Sequence, residues 1–173
     1  LVGILEAVGP DVIFEEIRPS DFDSFYASKP TLETRAVARY LKARAVRQVP
    51  VDDYSIPDSF RRDINILFDY AESNSVEYRA LIAERDWKTD QLGFRYLNSP
   101  EFEAISKRSR ESLENTIALS GSDGLKKALS TWNGQLQRRE NSMLENIYSF
   151  CRATQFKEGV FLVAASRRLW KLS

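Results

Sequence analysis

The stretch DVIFEEI, residues 11–17, decides the reading of the fold. Val12, Ile13 and Phe14 carry the β-branched and aromatic bias of a strand, and two glutamates close the run. Upstream, LVGILEAV (1–8) has helical apolar spacing and stops at Gly9-Pro10, a helix terminator. Downstream, RPSDFDS (18–24) is rich in turn formers and reads as a turn. PTLETRAVARYLKARA (30–45) opens on Pro30 and Thr31 as a start signal and sets Leu32, Ala36, Tyr40 and Ala43 at helical spacing. VRQVPVDDY (46–54) follows as a short strand ending in acid. Strand, helix and strand at this separation predict a βαβ unit with parallel strands and a right-handed crossover.

From Pro57 to Thr154 the pattern turns helical. Phe60, Ile64, Leu67, Phe68 and Ala71 make one apolar stripe, and the segments starting at Ser73 and Ser99 open with Ser or Asn capping signals. SGSDG (120–124) separates them from a long helix, Leu125 to Ala153. GVFLVAASRR (159–168) then reopens the sheet, its unbroken apolar run fitting a strand covered on both faces. The expected architecture is a single α/β domain over 1–173, with a small, mostly parallel sheet, flanking helices and a helical insertion over 57–154 before the last strand. Three strands make a thin sheet, and the chain opens on a helix with Leu1 rather than Met; a first strand upstream of Leu1 is expected.

Composition narrows the functional classes. Lys+Arg and Asp+Glu are equal at 25 each, so no net field draws in nucleic acid, and none is expected as a partner. The single cysteine, Cys151, excludes an intrachain disulfide, and a chain without histidine cannot build the usual Cys/His zinc sets. No run of about 18 apolar residues stands out as a membrane span, and no signal-peptide pattern is present; a cytoplasmic location is the expectation.

Candidate chemistry gathers at the carboxyl ends of the strands, where ligands bind in parallel α/β sheets. Glu15 and Glu16 point to opposite faces by strand alternation, so at most one joins a given cluster. Asp52 and Asp53 lie at the same edge as Glu16, Arg18 and Ser166; alone, the Asp-Asp pair also reads as turn chemistry. On the long helix the stripe Leu125, Leu129, Trp132, Leu136, Met143, Ile147 and Phe150 is interrupted between Leu136 and Met143, where Arg139 or Glu140 fills the position, with Asn146 beside it. A charge there is either paired in the core or snorkels at the rim. Ser166 has the location of a hydrolase nucleophile but neither flanking glycines nor a histidine partner, so a Ser-His-acid triad is excluded within this chain.

Together PDVIFEEIRPS, VPVDDY, RRENSMLENI and GVFLVAASRR are similar, in order and relative position, to the superfamily of TraB, the Tiki proteins, ChaN and erythromycin esterase, and resemble the TraB-like branch most. The resemblance implies functional roles for Glu16 and Arg18 after the first strand, and for Arg139, Glu140, Met143 and Asn146 on the long helix. It extends from Gly159 through Arg167, where the family has GVFLVGAAHR. Ser166 stands where the family has histidine and Ala164 where it has glycine, and the family's N-terminal strand with its histidine loop has no counterpart after Leu1. The resemblance implies hydrolase, metalloprotease-like or haem-binding activity in different members. With it, Glu16, Asp53 and Arg139 are expected to converge as a charge-balanced cluster, with Glu16, Arg139, Glu140 and Ser166 as candidate catalytic residues and Arg18, Asp53, Asn146 and Arg167 as candidate ligand contacts. Three functions follow as expectations. The first is a degenerate domain that binds a small polar ligand without hydrolysing it. The second is a metal-dependent hydrolase completed by an upstream segment. The third is an interaction module that self-associates through an open sheet edge. No cofactor is named by any of these residues.

Overall fold

A computed structural model describes residues 1–28, 32–53 and 58–163. In chain order these form α1 (Val2–Val8), β1 (Val12–Glu15), a 3-10 turn (Pro19–Asp21), α2 (Phe22–Ser28), α3 (Leu32–Leu41), β2 (Arg47–Pro50), α4 (Asp58–Asn74), α5 (Val76–Leu92), α6 (Phe94–Leu97), α7 (Pro100–Leu119), α8 (Asp123–Ala153) and β3 (Gly159–Leu162). The chain is α/β: a three-stranded, all-parallel sheet of order β2-β1-β3, with a long helical stretch before the last strand. Two compact units result, one from residues 1–53 and 137–163 and the other from residues 58–136, with the boundary inside α8.

In the first unit β1 is the central strand and all four of its residues are buried. Its alternation feeds two cores. Ile13 packs with Leu5 of α1 and with Val37 and Tyr40 of α3, while Val12 and Phe14 face the other way onto Met143, Ile147 and Phe150 of α8. The sheet is thus a middle layer, which is why its centre needs apolar residues at successive positions. Gly9 ends α1 at φ 62°, a left-handed turn that glycine adopts without a Cβ penalty. At the amino end of the sheet the Asp11 carboxylate accepts from the backbone N–H groups of Lys157 (2.8 Å) and Glu158 (3.2 Å), fixing the entry to β3.

Two expectations change here. RPSDFDS is not an open turn: Pro19 starts a 3-10 turn that runs directly into α2, and Ser24 Oγ donates to Asp21 O at 2.9 Å. Turn formers and helix starters are the same residue types, and only the aromatic spacing of Phe22, Phe25 and Tyr26 distinguishes them. GVFLVAA is shorter as a strand than its apolar run, and β3 is an edge strand, with Val160, Phe161 and Leu162 half-buried rather than covered on both faces. The helix start at Pro30-Thr31 and the residues from Ala164 on lie outside the described residues.

The second unit is helical. Leu67 and Ala71 of α4, Tyr78 of α5, and Leu113 and Ile117 of α7 form its core, with Leu125, Leu129 and Trp132 from the first half of α8 packed on it. The serine caps work as their sequence suggests: Ser75 accepts from Tyr78 N at 3.0 Å and Ser99 from Phe102 N at 3.2 Å. A smaller cluster of Leu81, Tyr96, Phe102 and Ile105 joins α5, α6 and α7.

Candidate functional site

The register of the sheet builds the site. Glu15 is paired with Pro50 on one side and Leu162 on the other, so the three strands end level. Backbone pairing continues beyond the strands, with Val51 N donating to Glu15 O at 2.9 Å and Asp52 N to Ile17 O at 3.2 Å. That extension carries Asp52 alongside Glu16 at the carboxyl end of the sheet.

Arg139 reaches this end from α8. Its Nε lies 2.9 Å from both carboxylate oxygens of Asp52, a second guanidinium nitrogen also bonds Asp52, and Glu16 Oε1 stands 3.1 Å from the same nitrogen. The side chains are 12 % exposed for Arg139, 12 % for Glu16 and 4 % for Asp52. A charge on the apolar stripe of a helix is thereby met by two opposite charges, and Arg139 turns inward instead of snorkelling. Arginine suits the place because its planar fork engages a carboxylate through two donors at once.

Asp52, rather than Asp53, is the aspartate that meets Arg139. Asp53, one residue on, accepts from Ser142 Oγ at 2.6 Å. Asn146 donates to Val51 O at 2.9 Å, so three successive residues, Val51 to Asp53, are each bonded to α8. Glu140 is half-buried; desolvation first, and the charge of Glu16 second, push its carboxyl above the usual range. Arg18 pairs with Asp21, three residues on, with Nε at 2.6 Å from Oδ2. Ser166 and Arg167 lie outside the described residues.

The sequence reading missed Glu15. Strand alternation places it on the Ile13 face, where it is 4 % exposed and accepts from Tyr26 Oη and, at 2.7 Å, from Gln48 Nε2. Burial is the dominant influence and raises its carboxyl above the ordinary range, against the two hydrogen bonds. The one available signal was its parity with Ile13, since a carboxylate on a core face must find donors.

Among the described residues no group of three metal-capable side chains stands together, and no helix is long and apolar enough to cross a membrane. The second unit has its own cleft of about 420 Å³ beside Ile117 and Leu129. Of its polar lining, Glu114 pairs with Arg110 and Lys126 with Asp123, and none of the sequence-predicted site residues is there. No family model matches the chain, and neither a curated protein nor a solved structure matches it.

Proposed function

We propose that the unit built on the parallel sheet is a ligand-binding domain of the TraB/ChaN-like kind, which holds a small polar ligand at the carboxyl end of its strands and does not hydrolyse it unaided. The observation that carries this reading is the convergence of Glu16 and Asp52 on Arg139. A parallel sheet with a charge cluster at its carboxyl end has the polarity of an α/β binding site. Both carboxylates are engaged by the guanidinium, so the triad acts as a frame. Glu140 and Asp53, beside it, are the groups with which a ligand would exchange protons or hydrogen bonds.

The test is turnover of ester and peptide substrates by the purified protein, with and without Mg²⁺ or Mn²⁺. The expected result is no rate above buffer, together with NMR shifts at the amides of residues 53 and 140 on titration with small polar molecules. Robust turnover that Glu16→Gln abolishes would overturn the reading. It would favour a second one, a hydrolase, which the neighbouring carboxyls of Glu140, raised by burial and by the charge of Glu16, and of Glu16, held by Arg139, support, because carboxyls in different environments are suited to acid and base roles.

A further inference from the structure

Helix α5 carries apolar residues on two sides. Tyr78 and Leu81 are buried in the clusters that join α5 to α4, α6 and α7. Val76, Ala80, Ala83 and Trp87 lie on the other side and all four are exposed, Val76 at 74 % and Trp87 at 63 %. Spaced by four, three and four residues, they fall within about 60° of arc on a helix that turns about 100° per residue. One exposed apolar side chain is ordinary; four aligned along one helix make a face. The face is self-complementary. A twofold axis crossing α5 between Leu81 and Ile82 lays an antiparallel second copy so that its Trp87 meets Val76 and its Ala83 meets Ala80. The alanines in the middle let the helices approach closely, and each indole covers a smaller valine. Charges beside the stripe obey the same axis. Arg79 and Asp86 stand on one flank, and the rotation brings each within about 3 Å, along the helix, of its opposite on the second copy, making two identical ion pairs. Within the chain Arg79 donates to the Glu72 carbonyl and Asp86 pairs with exposed Arg85 at 2.9 Å. On the other flank Glu77 and Glu84 come near each other, and each has a cation of its own, Arg108 at 3.7 Å and Lys88 at 2.6 Å.

We propose that this outer face of α5 is a homodimer interface, occupied by α5 of a second copy of the chain lying antiparallel about that axis. A parallel pairing would set Trp87 on Trp87 and Val76 on Val76, a wide end and a narrow one, whereas the antiparallel order matches large to small along the whole stripe. The interface lies on the helical unit and uses none of the residues that gather around Arg139. It is small beside a standard interface of roughly 1,600 Å², so the dimer is weak and exchanges with monomer.

Sedimentation velocity on the full chain, at concentrations up to about 500 µM, tests the proposal. The parent is expected to pass from monomer to dimer as concentration rises. Trp87→Glu places a charge at the centre of the contact and is expected to leave only monomer, a loss of at least about thirtyfold in affinity, with the melting temperature of the dilute protein unchanged. Arg79→Glu and Asp86→Arg are each expected to weaken the dimer about tenfold, because each sets like charges together at two symmetric places. Joined in one chain they restore opposite charges, and affinity should return to within about threefold of the parent. The restoration is particular to the antiparallel order: in a parallel pair Arg79 would face Glu84 and Asp86 would face Lys88, and the double swap would repel at both. A parent that stays monomeric, a dimer that survives Trp87→Glu as one joined through the sheet edge would, or a double variant as weak as the single ones overturns the proposal. If Trp87→Glu does not fold, the charge swap decides.

Discussion

Arg139→Met removes the guanidinium that joins Glu16 to Asp52, while leaving an unbranched apolar stem along the stripe of α8. At separations near 3 Å, each pair carries a Coulomb attraction of roughly 5 kcal/mol at an effective dielectric of about 20, part of which offsets the desolvation of the charges. After the substitution both carboxylates, 12 % and 4 % exposed, lose that guanidinium. Breaking a buried pair from one side costs about 3–5 kcal/mol, a large share of the roughly 5–15 kcal/mol that holds a domain folded. Urea denaturation followed by far-UV circular dichroism, with exchange of the β1 amides as a local reporter, measures that loss. A charge-free triple variant, Arg139→Met with Glu16→Gln and Asp52→Asn, is expected to recover more than half of it, since the two buried charges that lose the guanidinium are the larger part of the penalty. Arg139→Lys, which keeps the charge but loses the fork, should fall between the parent and Arg139→Met. A loss below about 1 kcal/mol for Arg139→Met, the range of a solvated surface pair, or a triple variant no better than the single one, would refute the reasoning.

Two further outcomes follow from the same packing. Burial raises the Glu15 carboxyl, so its contribution to stability is fully present below the ordinary carboxylate range and is lost as pH rises through its raised folded value; Glu15→Gln should lack that decline in urea titrations from pH 4 to 8, and a parent that instead gains stability over the window relative to Glu15→Gln contradicts the assignment. Gly159 lies against two rings, and an added Cβ would meet Phe156 at 2.9 Å and Phe14 at 3.2 Å; Gly159→Ala should therefore cost about 1–3 kcal/mol by overpacking, and an unchanged melting temperature would show that the rings give way freely.

Where the sequence could be read and where it could not follows from the range of the forces involved. Helix starts and stops depend on neighbours along the chain, so Gly9 and Ser99 could be assigned in advance, and the Ser73–Ser75 run narrowed the cap of α5 to three residues. The apolar stripe through Met143, Ile147 and Phe150, and the interruption at Arg139, are likewise properties of spacing alone. The α/β class and the parallel order came from the strand–helix–strand succession. The partner of Arg139 was beyond that reach. Asp52 and Asp53 are identical in type and adjacent, and the choice between them rests on how far backbone pairing continues past Pro50 and which carboxylate that continuation turns toward α8.

The same limit explains Glu15 and α2. Local pattern showed that Glu15 and Glu16 face opposite ways, but the donors that meet Glu15 lie 11 and 33 residues away in the chain. By itself the sequence determined where the three strands and the longer helices begin, which faces are apolar, and that charge stands on one of those faces, because these follow from periodicities of 2 and 3.6 residues and from caps within a few positions. Only the tertiary structure decided that Asp52 joins Glu16 on Arg139, that β1 and not β3 is the enclosed strand, and that a run of turn-forming residues becomes a helix seated on Glu15. Each of these is a choice between near-equivalent local options, settled by which side chain finds a partner once the layers close and water is excluded.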